Sequence, residues 1–311
     1  MPVASFDYPG PTVTSTSASA SASASASASA SAPASPTPAP ASAKNPTIRF
    51  TTTSELFQVL DRTRGDVLIV TDVSPQEFLA IERERESSRR RFRFRRYHAR
   101  SRILLITIPT PVHELVHGEL CKQLIVKLSH LNLLSAWKSI YSATLRQGGH
   151  PGGDGGESDS SGGPRIPGKG VPYWPTLVIE AGDSESLTQL RLDMHWWFRT
   201  SEHQVKIVIL AKFDHSRREI RLEKYEEEPR VAHPDARITR SAATLAPVLR
   251  QTIVITRTAT TRPVYNVARG ALILSFRLLF SRPPGPGEGD IVFGITDLQD
   301  YAQYVWEEVR D

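Results

Sequence analysis

The chain has 311 residues, 39% hydrophobic content, one cysteine (Cys121) and 38 basic against 33 acidic side chains. A single cysteine excludes a disulfide framework and any Cys-rich zinc module. The best apolar run, Gly270 to Phe280, is short and broken by Arg277, so no membrane span is expected.

The net charge of +5 is held unevenly, because residues 82–102 carry ten Arg against three Glu, a local +7 that leaves the rest near −2. The chain is therefore mildly acidic with one arginine block, and its basic isoelectric point overstates a general affinity for nucleic acid. The first residues include Asp7 and no basic cluster before an apolar core, so no secretory signal is expected. The expected location is intracellular, in cytoplasm or nucleus.

Residues 1–47 are dominated by Ser, Ala, Pro and Thr, with strict Ser-Ala alternation from Ser17 to Ala32. With almost no large apolar side chains to offset ordering entropy, and Pro at 33, 36, 38, 40 and 46, this reads as a disordered arm. The remainder, 48–311, reads as one α/β domain. Short β-branched or apolar runs predict strands at Asp66 to Val73, at Phe92 to Tyr97 and at Arg102 to Ile108, the last two joined as a hairpin through His98 to Ser101. A helix is predicted over Pro111 to Leu131, where Val112, Val116, Leu120, Leu124, Leu128 and Leu131 recur at helical spacing behind a Pro. Gln147 to Gly170 holds ten Gly in 24 residues and reads as a mobile internal loop. Strands follow at Thr176 to Glu180, Val205 to Leu210, Glu219 to Tyr225, Thr252 to Thr256 and Ala271 to Phe276. Two further helices carry capping-box spacing: Leu187 to Phe198 behind Ser186 and Gln189, and Asp297 to Val309 behind Thr296 and Gln299. Tandem Trp196-Trp197 reads as core, since one ring falls on the helix's apolar stripe.

His113-Glu114-Leu115-Val116-His117 is an HExxH on the first of these helices. The i, i+4 spacing puts both imidazoles on one face, with the Glu poised as base, as zinc hydrolases require. A third ligand is not found where it is sought: Leu120 and Gln123 stand at the extended-motif positions, and Ser135 to Gln147 contains no Asp, Glu or His. A zinc hydrolase is therefore the third-ranked reading and no zinc is expected. The plainer account is a helix start whose Glu114 favours the dipole and whose histidines are incidental.

Asp159, in Glu157-Ser158-Asp159-Ser160-Ser161, and Glu180, closing the apolar run Trp174 to Glu180, form a second constellation. Two carboxylates from adjacent strands could hold Mg²⁺, which keeps waters and accepts a phosphate oxygen. The plainer account makes Asp159 a solvated loop acid and lets Glu180 pair with Arg191 or cap the next helix.

Trp174 to Phe198 (WPTLVIEAGDSESLTQLRLDMHWWF), with VKIVIL at 205–210 and IRLEKY at 220–225, resembles an uncharacterised fungal family thought to have a PD-(D/E)XK, restriction-endonuclease-like fold and distantly similar to bacterial proteins assigned as restriction endonucleases. Arg102 to His117 resembles its earlier strand–helix segment and Leu272 to Trp306 its C-terminal part, so the likeness spans roughly residues 90 to 311. It implies a mixed sheet flanked by helices. It places the first acid at Asp159, the (D/E) at Glu180 and an accessory carboxylate at Glu114, with the usual Lys position falling on Gly182. The basic group would then come from Lys206 on the next strand. Arg191 could stabilise charge but not act as a base. The implied function is Mg²⁺-dependent phosphodiester hydrolysis from a degenerate site. The alternative is an inactive nucleic-acid or protein-binding module of the same fold.

The arginine block supplies the expected nucleic-acid contacts, Arg93, Arg95 and Arg96, through phosphate neutralisation. Strand alternation puts Phe92 and Phe94 on one face and Arg93 and Arg95 on the other; a nuclear-import role suits the same residues.

Overall fold

The computed structural model describes residues 45–140, 143–168, 173–229, 245–259 and 261–309. The predicted arm lies outside the described residues up to position 44, and its last residue, Thr47, opens the first strand. The N-terminal half runs β1 (Thr47–Arg49), α1 (Thr53–Arg62), β2 (Val67–Thr71), α2 (Pro75–Ser88), β3 (Arg93–His98), β4 (Ile103–Thr107), α3 (Pro111–His130), β5 (Trp137–Ser139), β6 (Leu145–Arg146), β7 (Gly155–Gly156) and β8 (Ser160–Pro164). The C-terminal half continues with β9 (Leu177–Gly182), α4 (Leu187–Thr200), β10 (Ile207–Asp214), β11 (Glu219–Pro229), β12 (Leu245–Arg257), β13 (Tyr265–Ala268), β14 (Leu272–Leu274), α5 (Phe276–Phe280), β15 (Ile291–Phe293) and α6 (Ile295–Glu307).

These elements form a mixed α/β architecture with two principal sheets flanked by helices. The first sheet has the order β1-β2-β4-β3-β7-β6, the second β13-β12-β11-β10-β9-β8-β5, and β14 pairs with β15. In the second sheet β8 is antiparallel to both β5 and β9, whereas β9 and β10 are parallel and joined through α4. A parallel pair needs such a crossover, because a tight turn cannot return the chain to the same end.

Alternation along β9 sets its two faces. Leu177, Ile179 and Ala181 pack into the core shared with α3 and α6, while Val178 packs with Leu190, Met194 and Trp197 of α4. The first sheet has its own core, in which Phe78 and Ile81 of α2 and Leu56, Phe57 and Leu60 of α1 cover Leu68, Val70, Phe94 and Tyr97.

Three expectations are corrected here. Much of the Gly-rich segment is ordered: Gly155 to Gly163 are all buried and supply β7 and most of β8. Its glycines fit close approaches, for a Cβ on Gly162 would run into the Trp137 ring. The last helix starts at Ile295 rather than 297, and its first turn is closed by Asp297, whose carboxylate accepts from Gly294 N at 2.7 Å. The run Ala271 to Phe276 is split between β14 and the short helix α5. Helices α1 and α2 were not anticipated. Among the described residues no helix is long and apolar enough to cross a membrane.

Candidate functional site: a His–His–Asp cluster beneath an arginine-lined cleft

Helix α3 begins with Pro111 behind Thr110, whose hydroxyl accepts from His113 N at 3.1 Å. That start fixes the helical phase so that His113 and His117 share the inward face with Val116 and Leu120, and both imidazoles are buried. Asp159, just ahead of β8, meets them. Its Oδ2 accepts from Ala181 N of β9 at 2.8 Å, which leaves Oδ1 3.1 Å from His113 Nε2 and 3.2 Å from Arg93 Nη1.

His117 presents Nε2 to the same point, 3.4 Å from Arg93 Nη1 and 3.4 Å from Glu114 Oε1, while its Nδ1 lies 2.9 Å from Ser160 Oγ. The Nδ1 of His113 faces Asp66 Oδ2 at 3.8 Å. Asp66 is itself held by the amides of Asp183 at 2.9 Å and Ser184 at 3.1 Å. Both ring nitrogens of His113 are sealed from solvent and neither makes an aligned hydrogen bond.

Burial of His113 works against its charge, but the Asp159 and Asp66 carboxylates outweigh it and raise its pKa to about 10. Burial acts to raise Asp159, yet His113, His117 and Arg93 hold it well below the usual carboxylate range. For Glu114 burial is likewise outweighed, by His117 and Arg93, and its pKa falls to about 2.

Glu180 does not join this cluster. It lies on the α4 side of β9, fully buried, where Arg96 Nη2 sits 3.1 Å from Oε1 and Trp197 Nε1 donates to the same oxygen. The Arg96 guanidinium lies 4.3 Å and 4.4 Å from the Trp196 and Trp197 ring centroids, so the second Trp has a role beyond packing. Arg95 donates to Asp193 at 2.6 Å and pairs with Glu185. Desolvation, together with neighbouring carboxylates, raises Glu180 to about 7 and Glu185 to about 8 against the pull of these arginines.

The predicted site is thus redistributed. Asp159, just ahead of β8, and Glu180, on the neighbouring β9, are close in the sheet, but the first turns to α3 and the second to α4. Among the described residues the ligand-type atoms that converge belong to His113, His117 and Asp159. Glu114 stays beside them, paired with Arg93 at 2.8 Å.

Lys206 is spent on His203 O at 2.6 Å and does not reach the acids. Arg191 pairs with Glu223 at 2.7 Å, not with Glu180. Arg95 and Arg96 are buried rather than presented to a ligand. The reason is a bulge where the β3–β4 register shifts between Phe94 and Arg96. It lets Tyr97 follow Phe94 into the first core while Arg95 and Arg96 both reach α4 and its flank. Of the three arginines expected to meet nucleic acid, only Arg93 lines a cleft.

Two residues near these acids escaped sequence reasoning. Lys212 is the cross-strand neighbour of Gly182 and donates to Asp183 O at 2.6 Å. It was missed because β10 runs on to Asp214, past the apolar run that marked it. Asp66 gave a weaker signal, a lone acid at the foot of an apolar strand.

Above the cluster opens a cleft of 970 Å³, lined by Arg85, Arg89, Arg90, Arg91, Arg93 and Glu114 together with Phe92, just ahead of β3, and the β4–α3 connection. Arg85 is taken by Glu157 at 2.8 Å and Arg90 by Asp61 at 2.6 Å. Arg89 and Arg91 are exposed and form no ion pair among the described residues. Neither a scan of protein-family models nor a search of curated proteins finds a match to this chain.

Proposed function

We propose that this chain is a restriction-endonuclease-like module that binds the phosphate backbone of nucleic acid without the two-carboxylate Mg²⁺ chemistry. The observation that carries this reading is the guanidinium of Arg96 on Glu180. A buried acid that already shares an internal guanidinium and accepts from an indole N–H is held as a structural group, and drawing it to a metal would strip Arg96 of one of its two buried carboxylate partners. The unpaired Arg89 and Arg91 at the mouth of the cleft supply the charge for phosphate contact. This reading puts the protein inside the cell, in cytoplasm or nucleus, where such a polyanion is found.

The Mg²⁺-dependent nuclease reading keeps one observation in its favour: Asp159 stands immediately ahead of β8, which pairs with the strand that carries Glu180, and its charge raises the Glu180 pKa. One experiment addresses both. Fluorescence anisotropy with labelled duplex DNA and RNA across a salt series is expected to give a linear log–log decline in affinity. Arg89→Ala with Arg91→Ala should reduce the DNA slope by about 1.8, at about 0.9 for each phosphate no longer neutralised. The same samples with Mg²⁺ should remain uncut. Affinity that ignores these arginines rejects the binding reading, and Mg²⁺-dependent cleavage lost in Glu180→Ala would replace it with the nuclease.

A further inference from the structure

We propose that His113, His117 and Asp159 form a site for one divalent transition metal of the Zn²⁺ type, and that Arg93 occupies the cation position until the metal enters. The proposal is independent of nucleic-acid binding.

One ligand atom from each of the three residues lies within 4.8 Å of the others, and all three side chains are buried. Around a tetrahedral ion with bonds of about 2.1 Å, ligand atoms stand about 3.4 Å apart. His113 Nε2 and Asp159 Oδ1 are at 3.1 Å and the His117 ligand atom lies within 4.8 Å of both, so the three are near the spacing such a shell requires.

Three further features point to a ligand rather than to a finished ion-pair network. First, His113 is fully buried and its Nε2 stands 3.1 Å from Asp159 Oδ1 without the alignment of a hydrogen bond, so the two ligand-type atoms face a shared point rather than each other. Second, an oxygen lies behind the other nitrogen of each imidazole: Ser160 Oγ at hydrogen-bond distance, 2.9 Å, for His117, and the Asp66 carboxylate at ion-pair distance, 3.8 Å, for His113. Outer partners of this kind orient metal-binding imidazoles. Third, Arg93 places Nη1 3.2 Å from Asp159 Oδ1 and 3.4 Å from His117 Nε2, which is a positive charge where an ion would sit.

An arginine N–H facing an imidazole nitrogen and a carboxylate oxygen together satisfies part of the coordination demand of both. Its release has somewhere to go, because Arg93 already lines the cleft. Glu114 Oε1, 3.4 Å from His117 Nε2, stands at the cleft side of the cluster, where a fourth ligand or a water would complete the shell. Two imidazoles and one carboxylate favour Zn²⁺ or Co²⁺ over Mg²⁺, which prefers oxygen ligands and keeps its waters. The third ligand lies 42 residues beyond His117, on another element, outside the spacings that an HExxH search inspects.

The test uses the untagged full chain, stripped of metal by chelation and dialysis. It is titrated with Co²⁺ by visible absorption and with Zn²⁺ by calorimetry. The expected result is one equivalent bound, with the absorption of low-coordinate Co²⁺, and no comparable binding of Mg²⁺. His117→Ala and Asp159→Asn should lose the equivalent, with near-ultraviolet circular dichroism checking that each variant stays folded.

Arg93→Ala leaves all three ligands intact and is expected to bind at least roughly tenfold more tightly, as removal of a competing cation requires. His203→Ala, remote on the surface and paired with Glu227, should leave binding unchanged. The proposal is overturned by the absence of stoichiometric Co²⁺ uptake in the folded wild type, or by uptake that persists in His117→Ala. Binding seen only in Arg93→Ala overturns it as well, since the arginine would then be a permanent occupant. Unchanged affinity in that variant removes the displacement of Arg93.

Discussion

Arg96 and Glu180, 84 residues apart in the chain, meet at 3.1 Å in the interior and tie the first sheet to the second. Neither side chain has solvent to fall back on. The pair shares its surroundings with Asp193, whose Oδ1 is 3.4 Å from Arg96 Nε and whose Oδ2 accepts from Arg95. What the sequence offers as a basic tract and an acidic strand end is, in the folded chain, one buried electrostatic joint.

Breaking that joint removes the one guanidinium that pairs with Glu180, or leaves Arg96 with Asp193 as its remaining carboxylate. Arg96→Met and Glu180→Met are each expected to cost about 3–5 kcal/mol, whereas the double variant should cost clearly less than their sum. Urea denaturation of the four proteins measures this directly. Additive costs would mean that the two groups act independently.

Stability should also fall on the alkaline side of mildly acidic pH. Glu180 and Glu185 share a buried space with Arg95, Arg96 and Asp193, where three carboxyls face two guanidiniums; Asp159 adds like charge near Glu180, and Asp66 near Glu185. Burial and this surplus raise Glu180 to about 7 and Glu185 to about 8 from an ordinary 4.5. The folded chain therefore holds protons that the unfolded chain has released. The stability these groups contribute is complete below pH 4.5 and is lost as pH rises through 7 and 8. Thermal melts should drop by on the order of 5 °C between about pH 5 and pH 9. Glu185→Gln should flatten the upper part of that decline. A melting temperature that rises across the interval would contradict the assignment.

Restoring a lysine at the position where the resembled family carries one should not restore a nuclease. A Cβ on Gly182 would stand 3.0 Å from Leu190 Cδ1 of α4, and the neighbouring strand already brings Lys212 alongside. Gly182→Lys is expected to destabilise the fold by about 1–3 kcal/mol through overpacking and to leave Mg²⁺-dependent cleavage undetected. Activity gained on this change would show that the acids can still converge on a metal.

Much of this architecture is written locally. The Pro behind Thr110 and the regular apolar spacing of α3 announce that helix, and the apolar runs of β2, β4, β9 and β10 announce their strands, because burial on one or both faces imposes a period that neighbours in sequence reveal. Ser74, Pro75 and Glu77 form a capping box that would have revealed α2, had the Arg- and Glu-rich surface of that helix not hidden its two buried residues, Phe78 and Ile81. The Gly-rich segment misled for a physical reason. Its glycines are selected by close approach, Gly162 beneath Trp137 and Gly156 against the backbone of Arg95, and composition does not distinguish that demand from slack chain.

The sequence by itself singled out the residues at issue: the HExxH histidines, Asp159, Glu180 and the arginine block. Tertiary structure alone decided how they combine. A register shift in β3 sends Arg95 and Arg96 inward, the parity of β9 turns Glu180 to α4, and an amide of the same strand points Asp159 at α3. Alternation and helical period act over a few residues and are legible in order along the chain. The partner of a buried charge is set by which strands lie side by side, and that is fixed only when the sheets pack.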